Sequence, residues 1–375
     1  MQKGRQKLRL GFTTGSCAAL AAKAAAQMLL GGEHRATVEI VTPKGIVVEV
    51  PVLKAELAGD YARCAVRKDA GDDPDVTDGV LVYAGVRKTA GPGIRIDGGR
   101  GIGRVTRPGL EQPVGAAAIN RVPRQMIAKE VRAICKRYAY EGGLAVTISI
   151  PQGVELARRT FNAGLGIAGG ISVLGTSGIV EPMSTQALLE SLALELQILA
   201  AEGHKDVIFT PGNYGKKYIA ADAKLAAAAA PLVKCSNYIG AALDYAVCGG
   251  FEKILLVGHL GKLVKLAGGI MNTHSSTADC RRELLAAHAA LAGAGRDTVV
   301  ELMEAVSTEA CVEILERCGL RAAVFSSLLQ NMQRHLVRRV GEETTVGAVL
   351  FSNVHGFLGQ TETAAGLIAS FCNKT

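Results

Sequence analysis

From residue 171 onward the chain repeats one pattern: a short apolar run, a glycine-rich or polar loop, then a helical stretch. Ile171-Ser-Val-Leu174 leads into Gly175-Thr176-Ser177-Gly178 and a helix near Ser184–Ala201. Asp206–Phe209 leads into Thr210-Pro-Gly212-Asn213-Tyr214-Gly215 and a second helix. Leu232–Cys235, Lys253–Val257 and Val346–Phe351 open three more such units, the last two running into Gly258-His259 and Ser352-Asn353-Val-His355-Gly356. Repeated strand–helix units imply a parallel sheet covered on both faces. Ligands in such sheets bind beyond the carboxyl ends of the strands, where all of these loops fall. The expected fold class is α/β: a doubly wound, Rossmann-like domain over residues 171–375, with a helical insertion around 276–340. Residues 1–170 mix helices and strands without strict alternation, which predicts a separate α+β domain. There, Ser16–Leu30 reads as a helix stopped by Gly31-Gly32. Ala36–Val41 and Ile46–Leu53 flank a Pro43-Lys-Gly45 turn as a hairpin.

Charge divides along the same boundary. Residues 1–170 carry 25 Lys and Arg against 15 Asp and Glu, while the remainder carries 17 against 19. A basic half favours anionic partners. Aromatic residues make up only 4% of the chain and the basic residues are scattered. Single-stranded nucleic acid, which is held by stacking on aromatic side chains, is therefore a poor match, and a small polycarboxylate a better one. The nine cysteines are dispersed, with no CxxC pair, so no metal site is expected. An odd count without a disulfide framework suits a reducing cytoplasm. No apolar run reaches the length of a membrane span. The sequence leaves a homo-oligomer open.

Four segments concentrate chemistry. Arg9-Leu-Gly11-Phe12-Thr13-Thr14-Gly15-Ser16-Cys17 puts hydroxyls at a helix start, as a cap or as a place where free N–H groups face an anion. Lys68-Asp69-Ala-Gly-Asp72-Asp73-Pro-Asp75-Val-Thr77 is an acidic loop: a self-bonded turn, a substrate contact or a cation site, in that order. Gly258-His259-Leu-Gly261-Lys262-Leu-Val-Lys265 sits at a strand end, where a ligand is reached more readily than a core. It continues to Asn272-Thr273-His274-Ser275, ahead of a Ser276-x-x-Asp279 capping pattern. Arg100, Arg104 and Arg107 surround Gly101-Ile-Gly103, a solvated hairpin or a carboxylate clamp. Gly164-Leu-Gly166-Ile-Ala-Gly169 matches a dinucleotide fingerprint but precedes a strand instead of following one, which predicts a chain reversal.

Taken in order, the N-terminal motif, the acidic loop and Gly258–Ser275 resemble the cobalt-precorrin-5B C1-methyltransferases of anaerobic cobalamin biosynthesis. The resemblance runs past Asn353 and covers nearly the whole chain, with further matches at Gly101–Leu110, Thr160-Phe-Asn162, Gly175–Gly178 and Gly212–Gly215. It departs at Gly115–Arg124, where Ala116, Ala117 and Arg121 replace an acid and two prolines of the family pattern while Asn120 and Arg124 are kept. The resemblance implies methyl transfer from S-adenosylmethionine (SAM) to C1 of a cobalt-bound tetrapyrrole ringed with carboxylates, giving cobalt-precorrin-6A. On that footing the cofactor is expected in a crevice between Gly175, Thr176, Ser177 and Gly178 on one side and Thr210, Gly212, Asn213 and Tyr214 on the other. The substrate is expected at Thr13, Thr14, Ser16, Asp72, Asp73, Arg104, Asn120, Arg124, Lys262 and His274, with His259 or Asp69 as the base. Two rival classes are a nicotinamide-dependent reductase and a tetrapyrrole carrier without catalysis.

Overall fold

The computed structural model describes residues 8–160, 165–182 and 184–373. The chain divides into two compact units, Met1–Thr185 and Gln186–Thr375. Phe161 and Asn162 of the Thr160-Phe-Asn162 match, and Gly164 of the glycine fingerprint, lie outside the described residues.

In the first unit the helix Thr14–Gly31 is buried along almost its whole length. Its alanines make this possible: without long side chains it lies against the strands Tyr61–Arg67 and Leu81–Thr89 and against the helix Arg121–Arg137. Gly32, with φ of 75°, ends it and returns its N–H to the Met28 carbonyl, a left-handed C-terminal cap. The sheet beneath has five strands in the order Leu53–Ala58, Tyr61–Arg67, Leu81–Thr89, Gly143–Ser149, Ile94–Gly98. All its pairings are antiparallel except that of Ile94–Gly98 with Gly143–Ser149. Ala62, Cys64 and Val66 alternate into the core opposite Val86, Ala84 and Val82. The expected hairpin forms between Thr37–Val41 and Val47–Pro51.

Ile171–Leu174, expected as the first strand of the parallel sheet, belongs to this first unit. Ile171 bridges to Ile102 and Val173 to Ile119, and both side chains are buried in the first unit's core. The backbone groups of this segment pair with loops of the first unit instead of with a strand of the parallel sheet. Ile179–Val180 then pairs antiparallel with Gly11–Phe12. The unit therefore runs to Thr185, past the expected boundary at 170/171.

The second unit is built on a sheet ordered Leu232–Lys234, Asp206–Thr210, Lys253–His259, Thr345–Ser352, Gly356–Gln360. The first four strands are parallel and the last is antiparallel. Residues alternate between faces. Val207, Phe209, Ile254, Leu256, Ala348 and Leu350 join one core with the helices Ile239–Cys248, Arg281–Leu291 and Arg321–Val340. Ile208, Leu255, Val257, Val349 and Phe351 join the opposite core with Asn213–Ala221 and Ala364–Cys372. Each fully buried side chain of this size contributes about 1.5–3 kcal/mol, so a strand apolar on both faces is held between two helical layers. Between the last two parallel strands, four helices (Arg281–Leu291, Arg296–Glu304, Thr308–Arg317 and Arg321–Val340) occupy the region expected as a helical insertion.

Candidate functional site at the strand ends

The chain leaves Asp206–Thr210 toward Leu232–Lys234 on one side, while Lys253–His259 and Thr345–Ser352 follow on the other. The order of connections reverses between Asp206–Thr210 and Lys253–His259, and a crevice opens past the carboxyl ends of such a pair. Two loops bound it. Thr210 is buried, and its hydroxyl donates to the Gly212 carbonyl at 3.3 Å. Gly212, in extended backbone, precedes the helix Asn213–Ala221 without a side-chain cap. A Cβ built on it would meet no atom within 4 Å. Asn213 accepts from the Lys234 ammonium at 3.4 Å. Tyr214 is 61% exposed, and its ring centroid lies 5.9 Å from that of His259.

On the other side, His259 ends its strand and caps the short helix Leu260–Leu263, its Nδ1 accepting the Gly261 N–H at 3.2 Å. That leaves the proton on Nε2, which faces Glu309 Oε1 at 3.1 Å. Phe351 meets the same imidazole edge-on, with ring centroids 5.7 Å apart. Burial holds the imidazole below its ordinary pKa although the Glu309 carboxylate pulls it up. Lys262 spans the crevice to the Pro211 carbonyl at 3.5 Å. Burial lowers its pKa, and Lys234 and Lys265 add repulsion. Of the residues expected to bind ligand, Thr210, Gly212, Asn213, Tyr214, His259 and Lys262 therefore converge. With both ring nitrogens engaged, His259 has no free lone pair in this arrangement. The arrangement differs in this from the free base expected from sequence.

The N-terminal motif serves the first unit's own architecture. Thr13 caps the long helix, accepting the Ser16 N–H at 3.2 Å. The Thr14 hydroxyl donates to the Leu174 carbonyl at 3.3 Å and accepts the Leu174 N–H at 3.2 Å. Ser16 is fully buried and donates to the Gly178 carbonyl at 2.7 Å. These hydroxyls hold Gly175–Gly178 down on the helix start. Gly175 has φ of 131°, and a Cβ there would fall 2.2 Å from the Thr13 hydroxyl oxygen. The Ser177 hydroxyl turns back to the Ile179 carbonyl at 2.9 Å. Thr176 lines a shallow cavity of about 290 Å³ with Lys129, Gln125 and Met126. Gly175–Gly178 thus leaves no strand of the parallel sheet, and the expected cofactor crevice loses that wall.

The acidic loop is a self-bonded turn. Asp69 accepts from the Arg9 guanidinium at 2.5 Å and from the Gly71 N–H at 2.9 Å. The Arg9 hydrogen bond is the chief cause holding its carboxyl below the usual range, which is wrong for a base. Asp72 accepts the Arg9 N–H at 2.6 Å, and the Asp73 N–H donates to the Ala70 carbonyl. Beneath the loop the buried Lys68 ammonium meets Asp75 at 2.5 Å. Of the other expected substrate contacts, Arg104 and Arg124 are also engaged. Arg104 forms a fork with Asp97 at 2.7 and 3.1 Å. Arg124 gives its guanidinium to the Ile119, Ile96 and Ala117 carbonyls. Asn120 precedes the helix Arg121–Arg137 without a side-chain cap bond.

His274 is exposed, and its Nδ1 lies 2.6 Å from the Ser276 hydroxyl. Ser276 starts no helix: the next one begins at Arg281, because Asp279 is drawn to Arg281 and Lys265 instead of reaching back to a cap. Lys265, considered for a substrate carboxylate, is buried and donates to the Thr273 and Ala278 carbonyls at 3.1 and 2.7 Å. The described part of the glycine fingerprint forms a ribbon, Ile167–Ala168 pairing antiparallel with Arg104–Val105.

Sequence reasoning missed Lys234, Phe351 and Glu309. Lys234 was in reach, lying one residue before the end of the expected strand Leu232–Cys235. Glu309 carries no such signal: it lies 50 residues beyond His259, in the first turn of an insertion helix.

These features define an α/β protein of two units, with Thr210, Gly212, Asn213, Tyr214, His259 and Lys262 gathered at the strand reversal of the second. The chain belongs to the CbiD family. Residues 1–182 match CbiD and residues 272–362 match the CbiD C-terminal domain. It is 45% identical to a protein of Ruminiclostridium cellulolyticum named cobalt-precorrin-5B C(1)-methyltransferase, over 100% of this chain and 98% of the other. It is 48% identical to a Thermoanaerobacter protein of the same name, over 87% of this chain and 88% of the other. The crystal structure of the cobalamin biosynthesis protein (cbiD) from Archaeoglobus fulgidus aligns at 31% identity and a TM-score of 0.40, covering 73% of this chain and 84% of that one. Among the described residues no helix is long and apolar enough to cross a membrane.

Proposed function

We propose that this chain methylates C1 of cobalt-precorrin-5B, with SAM as donor, giving cobalt-precorrin-6A in anaerobic cobalamin biosynthesis. The supporting observation is identity of 45% across the full chain with a relative bearing the methyltransferase name. The second unit's crevice, at the reversal point of a Rossmann-like sheet, is the proposed cofactor site.

Its residues suit SAM. Gly212 and Gly261 leave room for close approach, a Cβ on Gly261 meeting nothing nearer than 3.5 Å. The exposed Tyr214 face suits a purine, and Asn213 offers both a donor and an acceptor. Lys262 and Lys234 suit carboxylates, whether of the methionine moiety or of the macrocycle. Burial lowers the pKa of His259 and so disfavours a second positive charge beside a sulfonium. When bound, SAM supplies an activated methyl and its own leaving group, so the protein's task is orientation and charge balance. Holding methyl and ring carbon in line is worth on the order of 7–11 kcal/mol of barrier without acid or base.

Purified protein given methyl-labelled SAM and cobalt-precorrin-5B should place the label on C1 and release S-adenosylhomocysteine in step. Label elsewhere on the ring, or none, would overturn the assignment.

A further inference from the structure

Glu309 comes from the insertion helix Thr308–Arg317, yet its carboxylate reaches the crevice residue His259 at 3.1 Å. The contact is sheltered, with 19% of the His259 side chain and 25% of the Glu309 side chain exposed. The other Glu309 oxygen accepts from the Thr308 hydroxyl at 3.0 Å, so the carboxylate is itself oriented. Opposite, His259 Nδ1 accepts the Gly261 N–H. Gly261 belongs to the same helical turn as Lys262, whose ammonium crosses to the Pro211 carbonyl. The contacts form one chain: carboxylate, imidazole, backbone amide, crevice lysine.

We propose that Glu309 is a positioning residue, which fixes the Nε2–H tautomer of His259 and thereby the turn that aims Lys262 into the crevice. The chemistry requires the carboxylate. An imidazole in water populates both neutral tautomers, and only the one with a bare Nδ1 caps Gly261. An acceptor set against Nε2–H selects that tautomer, as partners of histidine do at metal sites. The groups facing His259 are Glu309, the Tyr214 ring and the Phe351 ring, and Glu309 is the acceptor among them. The insertion thus has a task at the crevice beyond packing. This inference rests on the proposed SAM site only for its consequence in binding.

The test pairs Glu309→Ala with Glu309→Gln, whose amide oxygen still accepts from Nε2–H. The ¹⁵N resonances of His259, assigned against His259→Asn, report the tautomer in the full-length protein without substrate. Wild type and Glu309→Gln should show Nε2–H alone, and Glu309→Ala a mixture. SAM affinity by calorimetry should fall roughly five-fold in Glu309→Ala, the equivalent of one lost cap, and recover in Glu309→Gln. A folded Glu309→Ala protein that keeps the pure Nε2–H tautomer would overturn the inference. If wild type binds no SAM, the proposed site fails, and the resonances still decide the role of Glu309.

Discussion

Two glycines once expected to line one cofactor crevice make opposite predictions in the structure. Gly212 has φ of −179°, extended backbone that any residue adopts, and open space around the position of a Cβ. Gly178 has φ of 78°, and its Cβ would lie 2.8 Å from Thr42 Cβ, 2.9 Å from Pro43 Cδ and 3.0 Å from the Ser16 hydroxyl. Gly178→Val meets two costs. The left-handed backbone costs about 1–2 kcal/mol with a Cβ present, and overpacking adds about 1–3 kcal/mol. The Gly178 carbonyl also accepts from the Ser16 hydroxyl and the Thr13 N–H, so any shift strains both bonds. A loss on the order of 2–5 kcal/mol lowers the melting temperature of a unit this size by roughly 5–20 °C. Gly212→Val should stay within about 1 kcal/mol of wild type, because a less favoured helix start is offset by a less flexible unfolded chain. Its branched side chain would fill the space proposed for SAM. Its Kd for SAM should rise at least about ten-fold, equivalent to about 1.4 kcal/mol. Circular dichroism melting and calorimetric titration read the two quantities separately. A stable Gly178→Val protein, or a Gly212→Val protein that binds SAM like wild type, would refute the assignment of one loop to architecture and the other to ligand.

Two further outcomes follow from the hydrogen bonds and the buried charges. Thr13→Ala should cost about 1 kcal/mol of stability in urea unfolding, as for a lost helix cap, and leave turnover per folded molecule near wild type; a turnover loss well beyond the stability loss would return the motif to the substrate. The Asp75 carboxyl is pushed up by burial, but the Lys68 ammonium and bonds from Thr77 outweigh this and leave it below the ordinary value. A depressed folded pKa gives stability that is present above the unfolded value, near pH 4, and lost as pH falls through the folded one. Urea titrations below about pH 4 should therefore show a falling stability that flattens in Asp75→Asn; an unchanged acid limb would exclude this pair as its source.

The sequence displayed the second unit well where its signal is local. Asp206–Thr210, Lys253–His259 and Thr345–Ser352 are apolar on both faces and end in polar loops, and each forms a parallel strand where expected. Ile171–Leu174 shows the same local pattern and forms none. What separates it from the others is nonlocal: the Ile171, Val173 and Leu174 carbonyls accept from the Gly103, Asn120 and Gly15 amides, and their own amides donate to Gly101, Ala118 and Thr14, residues more than fifty positions earlier. No count of apolar residues in a short window contains that information. The glycines after it misled for the same reason. Gly175 and Gly178 are small because the Thr13 and Ser16 hydroxyls press against them, a packing cause that in sequence looks the same as room for a ligand.

The same ambiguity governs the charged residues, and burial resolves it. Lys262 and Lys265 are one turn apart, and sequence offers little reason to separate them. In the structure, Lys265 spends its ammonium on two interior carbonyls and an aspartate, which ties the chain after Gly268 to the preceding turn. Lys262 has one long contact, to Pro211, at the lip of the crevice. An arriving carboxylate would displace that weak bond and gain a charge-assisted one, whereas displacing the Lys265 bonds would leave buried carbonyls unpaired. The ammonium with least to lose is the one at the strand reversal. By the same measure Arg124, with three carbonyls on its guanidinium, has much to lose, and Lys234, whose contact with Asn213 is 3.4 Å long, has little. Lys234 and Lys262 rise from strand ends on opposite sides of Asp206–Thr210. A ligand spread along that crevice would therefore meet a cation toward each flank of the strand, which suits a molecule bearing more than one carboxylate.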